Sequence, residues 1–551
     1  MAEVWSPEPE LLESLDSAVP GILASQKENG QFGTEPWVCG DQNVILALAA
    51  AWRLEESRYH GDDEVLDSIV RGGDALIDAQ DEQGKWTFLK KDYSEWGQIF
   101  MPWTYSRWIR AYQLVQEAMR GDARARWDEA LLMGFDGISR TCLAHVHNIP
   151  AHHAMALFCA GTVFGREDWR TQSRAFMAKV ADAQSPQGWW PEHNGPVVAY
   201  NFVYSDSLGI YFGMSGDAAV LPALERAASY HASLTYPDGS PVETVDGRNP
   251  YHGGVHEGSP GFSHTAAGRG YLAQQHRLLL AEGTGFNADY AASLLLYGGN
   301  GEAIETAAGK ERHVFRMGDE ATAVRNGPWF ICLSAFVVDF PQNRWGQDRQ
   351  NFVSAFHDGT GLIVGGGNTK LQPLWSCFTV GDKALLSHTP GDEDPDFEVP
   401  EGLIHVPDEI SYDSGDDGGR LQMRYGEECC SVDAKIESET ELTLVYAATG
   451  NSGLPVDGHV TLMPHLDQEV RFASGKTAVM GEAEAEWSGE AWIEHDGWRL
   501  YLPPGSRVVW PALPHNPYRK AGDSTIEEAR LVVVLPFSAD VSRHELKLAV
   551  V

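Results

Sequence analysis

The sequence is short of cysteine, of lysine and of long apolar runs, and each shortage closes off a class of protein. Seven cysteines in 551 residues are an odd set, and Cys429 and Cys430 are adjacent. Neighbouring thiols pair poorly with each other, so reduced, mostly buried cysteines are expected rather than a disulfide scaffold. Only 12 of the 41 basic residues are Lys, against 78 Asp and Glu, and the formal net charge is −37. That acidity is spread along the chain, which excludes nucleic acid and anionic membrane surfaces as principal partners. No run reaches the roughly 18 uncharged apolar residues of a spanning helix. The N-terminal residues MAEVWSPEPELLESLDSAVP have neither a basic n-region nor an apolar h-region. The expectation is a cytoplasmic chain, or a secreted or periplasmic one whose leader has been removed.

What is present is a large supply of core. Hydrophobic residues make up 43% and aromatics 10%, enough to offset chain entropy and exclude disorder. At about 100–200 residues per domain the length allows two to four domains.

The first half repeats. Gln26-Lys27-Glu28-Asn29-Gly30-Gln31-Phe32, Gln80-Asp81-Glu82-Gln83-Gly84-Lys85-Trp86 and Gln184-Ser185-Pro186-Gln187-Gly188-Trp189-Trp190 share the form Gln-x-x-x-Gly-x-aromatic. Weaker copies at Phe135-Asp136-Gly137 and Tyr236-Pro237-Asp238-Gly239 place glycines at 30, 84, 137, 188 and 239, spaced by 54, 53, 51 and 51. Between them Val44 to Trp52, Val65 to Ile77, Trp103 to Met119 and Ala154 to Phe164 are Ala/Leu-rich with apolar residues at helical spacing. A period of about 52 fits two helices and two turns. Five or six such hairpins to about residue 305 predict an incomplete (α/α) toroid, with an open solenoid as the alternative.

Beyond residue 310 the pattern becomes short β-rich runs bounded by Gly, Asp, Asn and Pro. They include Val314-Phe315-Arg316, Thr322-Ala323-Val324, Trp329 to Leu333, Gly361 to Gly365, Leu442 to Tyr446 and Arg530 to Leu535. The fold class expected is a multidomain α and β chain: residues 1–308 an α/α toroid, residues 309–551 an antiparallel β-sandwich. The acidic stretch Pro390 to Pro400 and the run Ser414 to Gly419 read as loops within the sandwich.

Three segments concentrate chemistry-bearing residues. His145, His147, Asn148, His152 and His153 precede and open an apolar helix. They hold no metal-ligand spacing with a Cys or His partner, so no cofactor is expected and a structural divalent metal is not indicated. Trp189, Trp190, Glu192 and His193, followed by Tyr200, Asn201, Tyr204 and Asp206, begin on a repeat turn and combine sugar-stacking aromatics with acid/base groups. Glu243, Asp246, Arg248, Tyr251, His252, His256 and Glu257 lie just beyond the next turn, in a Gly/Pro-rich loop. His252 and His256 have the spacing of a helical zinc pair, but Gly253-Gly254 argues against a helix there. In the β half, Arg344, Arg349 and His357 sit in polar runs near strand ends.

The order Asn148, His193, Tyr200 or Tyr204, then Arg248 resembles the Asn/His/Tyr/Arg constellation of toroid-plus-sandwich polysaccharide lyases. Chondroitin AC and hyaluronan lyases are the nearest pattern, and heparinase II/III-type and alginate lyases share the architecture. The gap from His193 is seven residues to Tyr200 and eleven to Tyr204, one on each side of the spacing in those lyases, so both tyrosines stay candidates. The resemblance implies β-elimination on an acidic polysaccharide. Asn148 and Arg248 would stabilise charge on a uronate carboxylate, and His193 with Tyr204 or Tyr200 would serve as base and acid. His147, His152, Trp190, Glu192, Asn201, Tyr251, His252, His256, Arg344 and His357 are the expected substrate contacts. Two other functions compete: a glycoside hydrolase using a carboxylate pair from Glu192, Asp206, Glu243, Asp246 and Glu257, and a non-catalytic carbohydrate-binding protein. Oligomeric state is not legible.

Overall fold

Apolar periodicity in the first half does produce helices, in two kinds that differ in how many sides are buried. The computed structural model describes residues 3–192, 195–339, 341–386, 388, 397–398, 400–450 and 452–551. Ile45–Arg53 buries every residue from Ile45 to Ala51, and Pro102–Val115 and Asn148–Val163 are buried around most of their circumference. Asp63–Ala79 buries only one stripe, Val65, Ile69, Gly72, Gly73 and Leu76. An all-round apolar helix lies inside and a one-sided helix lies outside, so the sequence itself sorts the hairpins into the inner and outer layers of an α/α toroid. Eleven α-helices occur among the described residues, from Glu8–Ser25 to Ala288–Tyr297. None is long and apolar enough to cross a membrane.

The repeated glycines are one turn built four times. Gly30, Gly84, Gly188 and Gly239 have φ of 83°, 84°, 98° and 88°, a region open to glycine at little cost. In each, the glycine N–H donates to the carbonyl three residues back, at 3.0 Å for Gly30, Gly84 and Gly188 and 2.9 Å for Gly239. That earlier residue donates in turn to the carbonyl just after the glycine, as in Lys27 to Gln31 and Ser185 to Trp189 at 2.8 Å. The glutamines couple each turn to the next hairpin: Gln26 Nε2 donates to Ser68 O and Gln184 Nε2 to Ala223 O, both at 2.9 Å. A Cβ on Gly30 or Gly188 would lie 2.2 Å from the carbonyl oxygen of Arg71 or Arg226. The fifth copy is a correction: Gly137 lies inside the helix Gly121–Thr141 and makes no turn, its missing side chain instead admitting the ring of Phe100.

Two compact units result. One comprises Met1–Glu192, Ala199–Tyr230 and His256–Thr306; the other comprises His193–Val198, His231–Val255 and Ala307–Val551. The helical unit begins and ends on a strand: Glu3–Trp5 pairs antiparallel with Gly301–Ala303.

Among the described residues the second unit holds two antiparallel sheets of eleven and nine strands. The β-rich runs fall in strands Arg312–Met317, Ala321–Asn326, Trp329–Ser334, Gly361–Val364, Glu441–Thr449 and Arg530–Phe537. In the nine-stranded sheet, Glu441–Thr449 and Arg543–Val550 alternate between buried and more exposed residues, which marks one face turned to a core. That core joins Leu442, Leu444, Tyr446, Leu546 and Leu548 to Ile331, Leu333, Val533 and Leu535 of the other sheet, which makes the unit a β-sandwich. The run Ser414 to Gly419 is a correction: Ser414 pairs with Gly419 and Gly415 with Gly418 in adjacent strands, and only Asp416 and Asp417 form the turn. Most of the acidic stretch from 390 to 400 lies outside the described residues.

Candidate functional site

Asn148 opens an inner helix of the toroid, and its preceding residue, His147, is extended at φ −148°. Tyr204 lies inside the helix Val198–Ser215. Both side chains converge on one carboxylate. Asn148 Nδ2 donates to Glu192 Oε1 at 3.1 Å and Tyr204 Oη donates to Glu192 Oε2 at 3.0 Å. All three residues are buried. Burial, and then the Glu192 charge, hold the Tyr204 phenol well above its usual range. Tyr204 therefore stays protonated and acts as a donor. Tyr200, one turn earlier on the same helix, is only half-buried. His193 lies outside the described residues.

Trp190 has no exposed face on which a sugar could stack. It is 0% exposed, its ring lies parallel to Tyr204 with centroids 5.1 Å apart, and its Nε1 donates to Val180 O at 2.7 Å. Trp86 stands at the same place in its repeat and donates to Leu76 O, also ten residues back. Trp190 is thus the wedge of its repeat, and the repeat pattern already contained that answer. Asn201, also fully buried, is spent on the same turn: its Oδ1 accepts from Trp190 N at 2.6 Å and its Nδ2 donates to Trp190 O. Of the histidines at the helix start, His145 and His147 are exposed, whereas His152 and His153 are buried, His153 Nε2 lying 2.8 Å from Phe100 O. No three His, Cys, Asp or Glu among the described residues are grouped to hold a metal.

Arg248 belongs to the second unit, where it meets aromatic rings. Its Nε donates to Tyr518 Oη at 3.0 Å, and its guanidinium lies 5.7 Å from the rings of both Trp345 and Tyr518. Arg344 covers the Trp345 ring at 5.1 Å, and Tyr518 Oη donates to Asn249 Oδ1 at 3.2 Å. Two guanidinium groups beside two partly exposed rings form a patch able to bind a carboxylate and the face of a sugar. Trp345 sits inside a run the sequence had flagged; nothing in the sequence marked Tyr518.

Other expected contacts serve structure. His357 is spent at a strand end, with Nε2 3.0 Å from Glu439 O and Nδ1 accepting from Gly359 N. Arg349 is buried and donates to Val245 O at 2.9 Å and Pro196 O at 3.3 Å. Tyr251 Oη donates to Asp238 at 3.4 Å. His252 is exposed in a loop, and His256 stacks on Phe202 at 3.8 Å, its basicity lowered to about 4 by burial. Two of the five carboxylates proposed for a hydrolase pair are tied to backbone: Glu243 accepts from Gly366 N, and Asp246 from Val198 N, Arg248 N and Asn249 N.

The helical and β-rich units together have the α/α toroid and β-sandwich architecture of polysaccharide lyases. Among solved structures of that fold, a mutant of the chondroitin AC lyase of Streptomyces coelicolor A3 is 14% identical, with 99% of this chain and 80% of that chain covered at a TM-score of 0.55. Heparinase III is 12% identical over 96% and 80%, also at 0.55. A Paenibacillus xanthan lyase is 11% identical at 0.57, over 98% of this chain and 57% of its own. No protein-family model and no curated protein matches the sequence.

Proposed function

We propose that the protein is a polysaccharide lyase that cleaves a uronic-acid-containing chain by β-elimination. The observation that carries this reading is the pair of donors on Glu192: Asn148 and Tyr204 hold the two oxygens of one carboxylate at 3.1 and 3.0 Å. A uronate carboxylate offers the same two acceptors. In β-elimination the C5 proton is removed α to that carboxylate, negative charge grows on its oxygens, and the O4 substituent leaves to give an unsaturated uronate. Donors fixed in place where charge develops are the largest aid such a step can receive.

On this reading the substrate carboxylate replaces Glu192 against Asn148 and Tyr204. Tyr204, held protonated, serves as a donor rather than a base. His193 takes the C5 proton and the half-buried Tyr200 protonates the departing O4. By the lyase resemblance, Arg248 is the candidate cation for a uronate carboxylate. The neighbours' substrates, chondroitin and xanthan among them, support an acidic polysaccharide as partner.

The test is a panel of uronate polymers followed by ultraviolet absorbance of the conjugated double bond. Absorbance that rises with at least one polymer supports the reading. New reducing ends without that absorbance, or no cleavage across the panel, refutes it.

A further inference from the structure

The Gly- and Pro-rich loop that carries Arg248 is held by buried charge. Asp246 is 3% exposed and Arg349 1%, and both belong, with the loop, to the second unit. Asp246 Oδ1 accepts from two successive backbone groups, Arg248 N at 2.8 Å and Asn249 N at 2.9 Å. A carboxylate that caps the backbone two and three residues on pins the turn from which the Arg248 side chain departs. The other oxygen, Oδ2, accepts from Val198 N at 2.9 Å. The same carboxylate thus ties that turn to residues 195–198, which follow His193 in the chain and are also part of the second unit.

Arg349 makes the same joint with its guanidinium. Nη1 donates to Val245 O at 2.9 Å and Nη2 to Pro196 O at 3.3 Å, and Gly247 N also donates to Pro196 O, at 3.2 Å. Two glycines make room for it: a Cβ on Gly247 would lie 2.4 Å from Nη2 and one on Gly195 3.0 Å. The guanidinium also lies 4.8 Å from the ring of Phe336. Burial raises the Asp246 carboxyl, and the Arg349 charge is among the groups that counter it. Two buried charges are a poor source of stability, since desolvation offsets their attraction and packed apolar residues often do as well. What this pair supplies is geometry, because it engages the backbone of Pro196, Val198, Val245, Arg248 and Asn249 at once.

Arg248 is therefore directed from two places. The turn fixes its backbone, and its Nε donates to Tyr518 Oη at 3.0 Å. A forked set of donors matches a carboxylate only in one orientation, and a group misplaced by about 1 Å forfeits much of its effect. We propose that Asp246, backed by Arg349, is the positioning residue of Arg248 and sets where that guanidinium meets a uronate carboxylate. Asp246 acts through Arg248 and touches no reacting atom. The inference rests on the lyase reading for the ligand of Arg248; the positioning itself lies in contacts within one unit. An Asn at position 246 would keep an acceptor for the turn but would turn a donor towards Val198 N, so that substitution separates the two halves of the joint.

The test reads geometry and kinetics separately. Crystal structures of the intact protein and of Asp246→Asn are compared at the contact between Arg248 Nε and Tyr518 Oη. In parallel, kcat/KM is followed by ultraviolet absorbance on the panel of uronate polymers for Asp246→Asn, Arg248→Ala and the two combined. The expected result is an Arg248 guanidinium displaced from Tyr518 in Asp246→Asn, with kcat/KM lowered by about tenfold or more in each single variant and no further loss in the double. A residue that acts only through another has no effect once that other is gone. A merely structural Asp246 would lower the melting temperature and leave the two losses independent, which overturns the proposal. So does an Arg248 that keeps its place in Asp246→Asn, or a loss of activity there with none in Arg248→Ala. Gly247→Ala, which crowds Arg349 without changing a charge, should displace Arg248 in the same way and keeps the test open if Asp246→Asn fails to fold. Absorbance missing on every polymer with the unaltered protein refutes the lyase reading alone, and the crystal comparison still decides the positioning.

Discussion

Replacing Glu192 by Gln tests whether its carboxylate occupies the place of the substrate's. The substitution keeps shape and removes charge. In the free protein Glu192 accepts from both Asn148 and Tyr204. A hydrogen bond to a charged acceptor contributes about 1.5–3 kcal/mol and a neutral one about 0.5–1.5, so each contact weakens by about 1 kcal/mol. The two together make the internal competitor about 2 kcal/mol easier to displace, which lowers KM by about 30-fold at constant kcat. The Gln amide also offers only one acceptor oxygen, so one of the two donors loses its partner altogether. The assay is initial rate by absorbance across a range of polymer concentration, with kcat and KM resolved separately. A kcat reduced by 100-fold or more with KM unchanged would show Glu192 acting in the chemical step. Unchanged values of both would show that it stays in place when substrate binds, and the carboxylate-exchange argument would fail.

Asn148→Ala is expected to cost about 2–4 kcal/mol of transition-state stabilisation, read as a 30- to 1000-fold fall in kcat/KM; an unchanged value removes Asn148 from the mechanism. Tyr200→Phe should abolish turnover while polymer still binds, and Tyr204→Phe, which removes a donor to the growing charge, should lower kcat/KM as Asn148→Ala does; full activity in both sinks the assignment of either phenol. Gly188→Ala places a Cβ 2.2 Å from Arg226 O at φ +98°, whereas Gly165→Ala at φ +67° meets nothing within 4 Å. The handedness cost alone is about 1–2 kcal/mol in either, so the melting temperature should fall further for Gly188→Ala, and equal shifts would refute the turn-coupling argument. Burial raises the Asp206 and Glu257 carboxyls to about 7 from ordinary values of 3.8 and 4.5. The folded chain therefore holds more protons than the unfolded one between those limits, and stability falls as pH rises from about 4 through 7. Asp206→Asn should flatten that fall in melts run from pH 5 to 8; an unaltered slope would contradict the shift.

How far the sequence could be read depended on the range of the interaction. Helices whose apolar residues recur at three and four, and strands whose residues alternate, were legible because their burial is set by neighbours in sequence. The turn at Gly188 was legible for the same reason. Gly137 was misread because glycine inside a helix that must admit Phe100 looks the same, residue by residue, as glycine that ends one. Trp190 was misread because an aromatic beside polar residues suggests a ligand, whereas its hydrogen bond to Val180 belongs to a pattern visible only when the repeats are superposed. At the site, Asn148 and Tyr204 were both named, but their meeting on Glu192 joins positions 44 and 12 residues from that carboxylate. Tyr518 carried no local signal.

The short strand pair at the ends of the helical unit has a further meaning. Glu3–Trp5 lies against Gly301–Ala303, so the first and last segments of the toroid are fastened to each other by three residue pairs. The same two ends also meet through the helices Glu8–Ser25 and Ala288–Tyr297, which pack on each other, through Phe286 N, which donates to Ser14 Oγ at 3.1 Å, and through the ring of Trp5, 5.6 Å from that of His276. The ladder is therefore one layer of a closure backed by side-chain packing, and the first and last segments of the helical unit part only if both give way together.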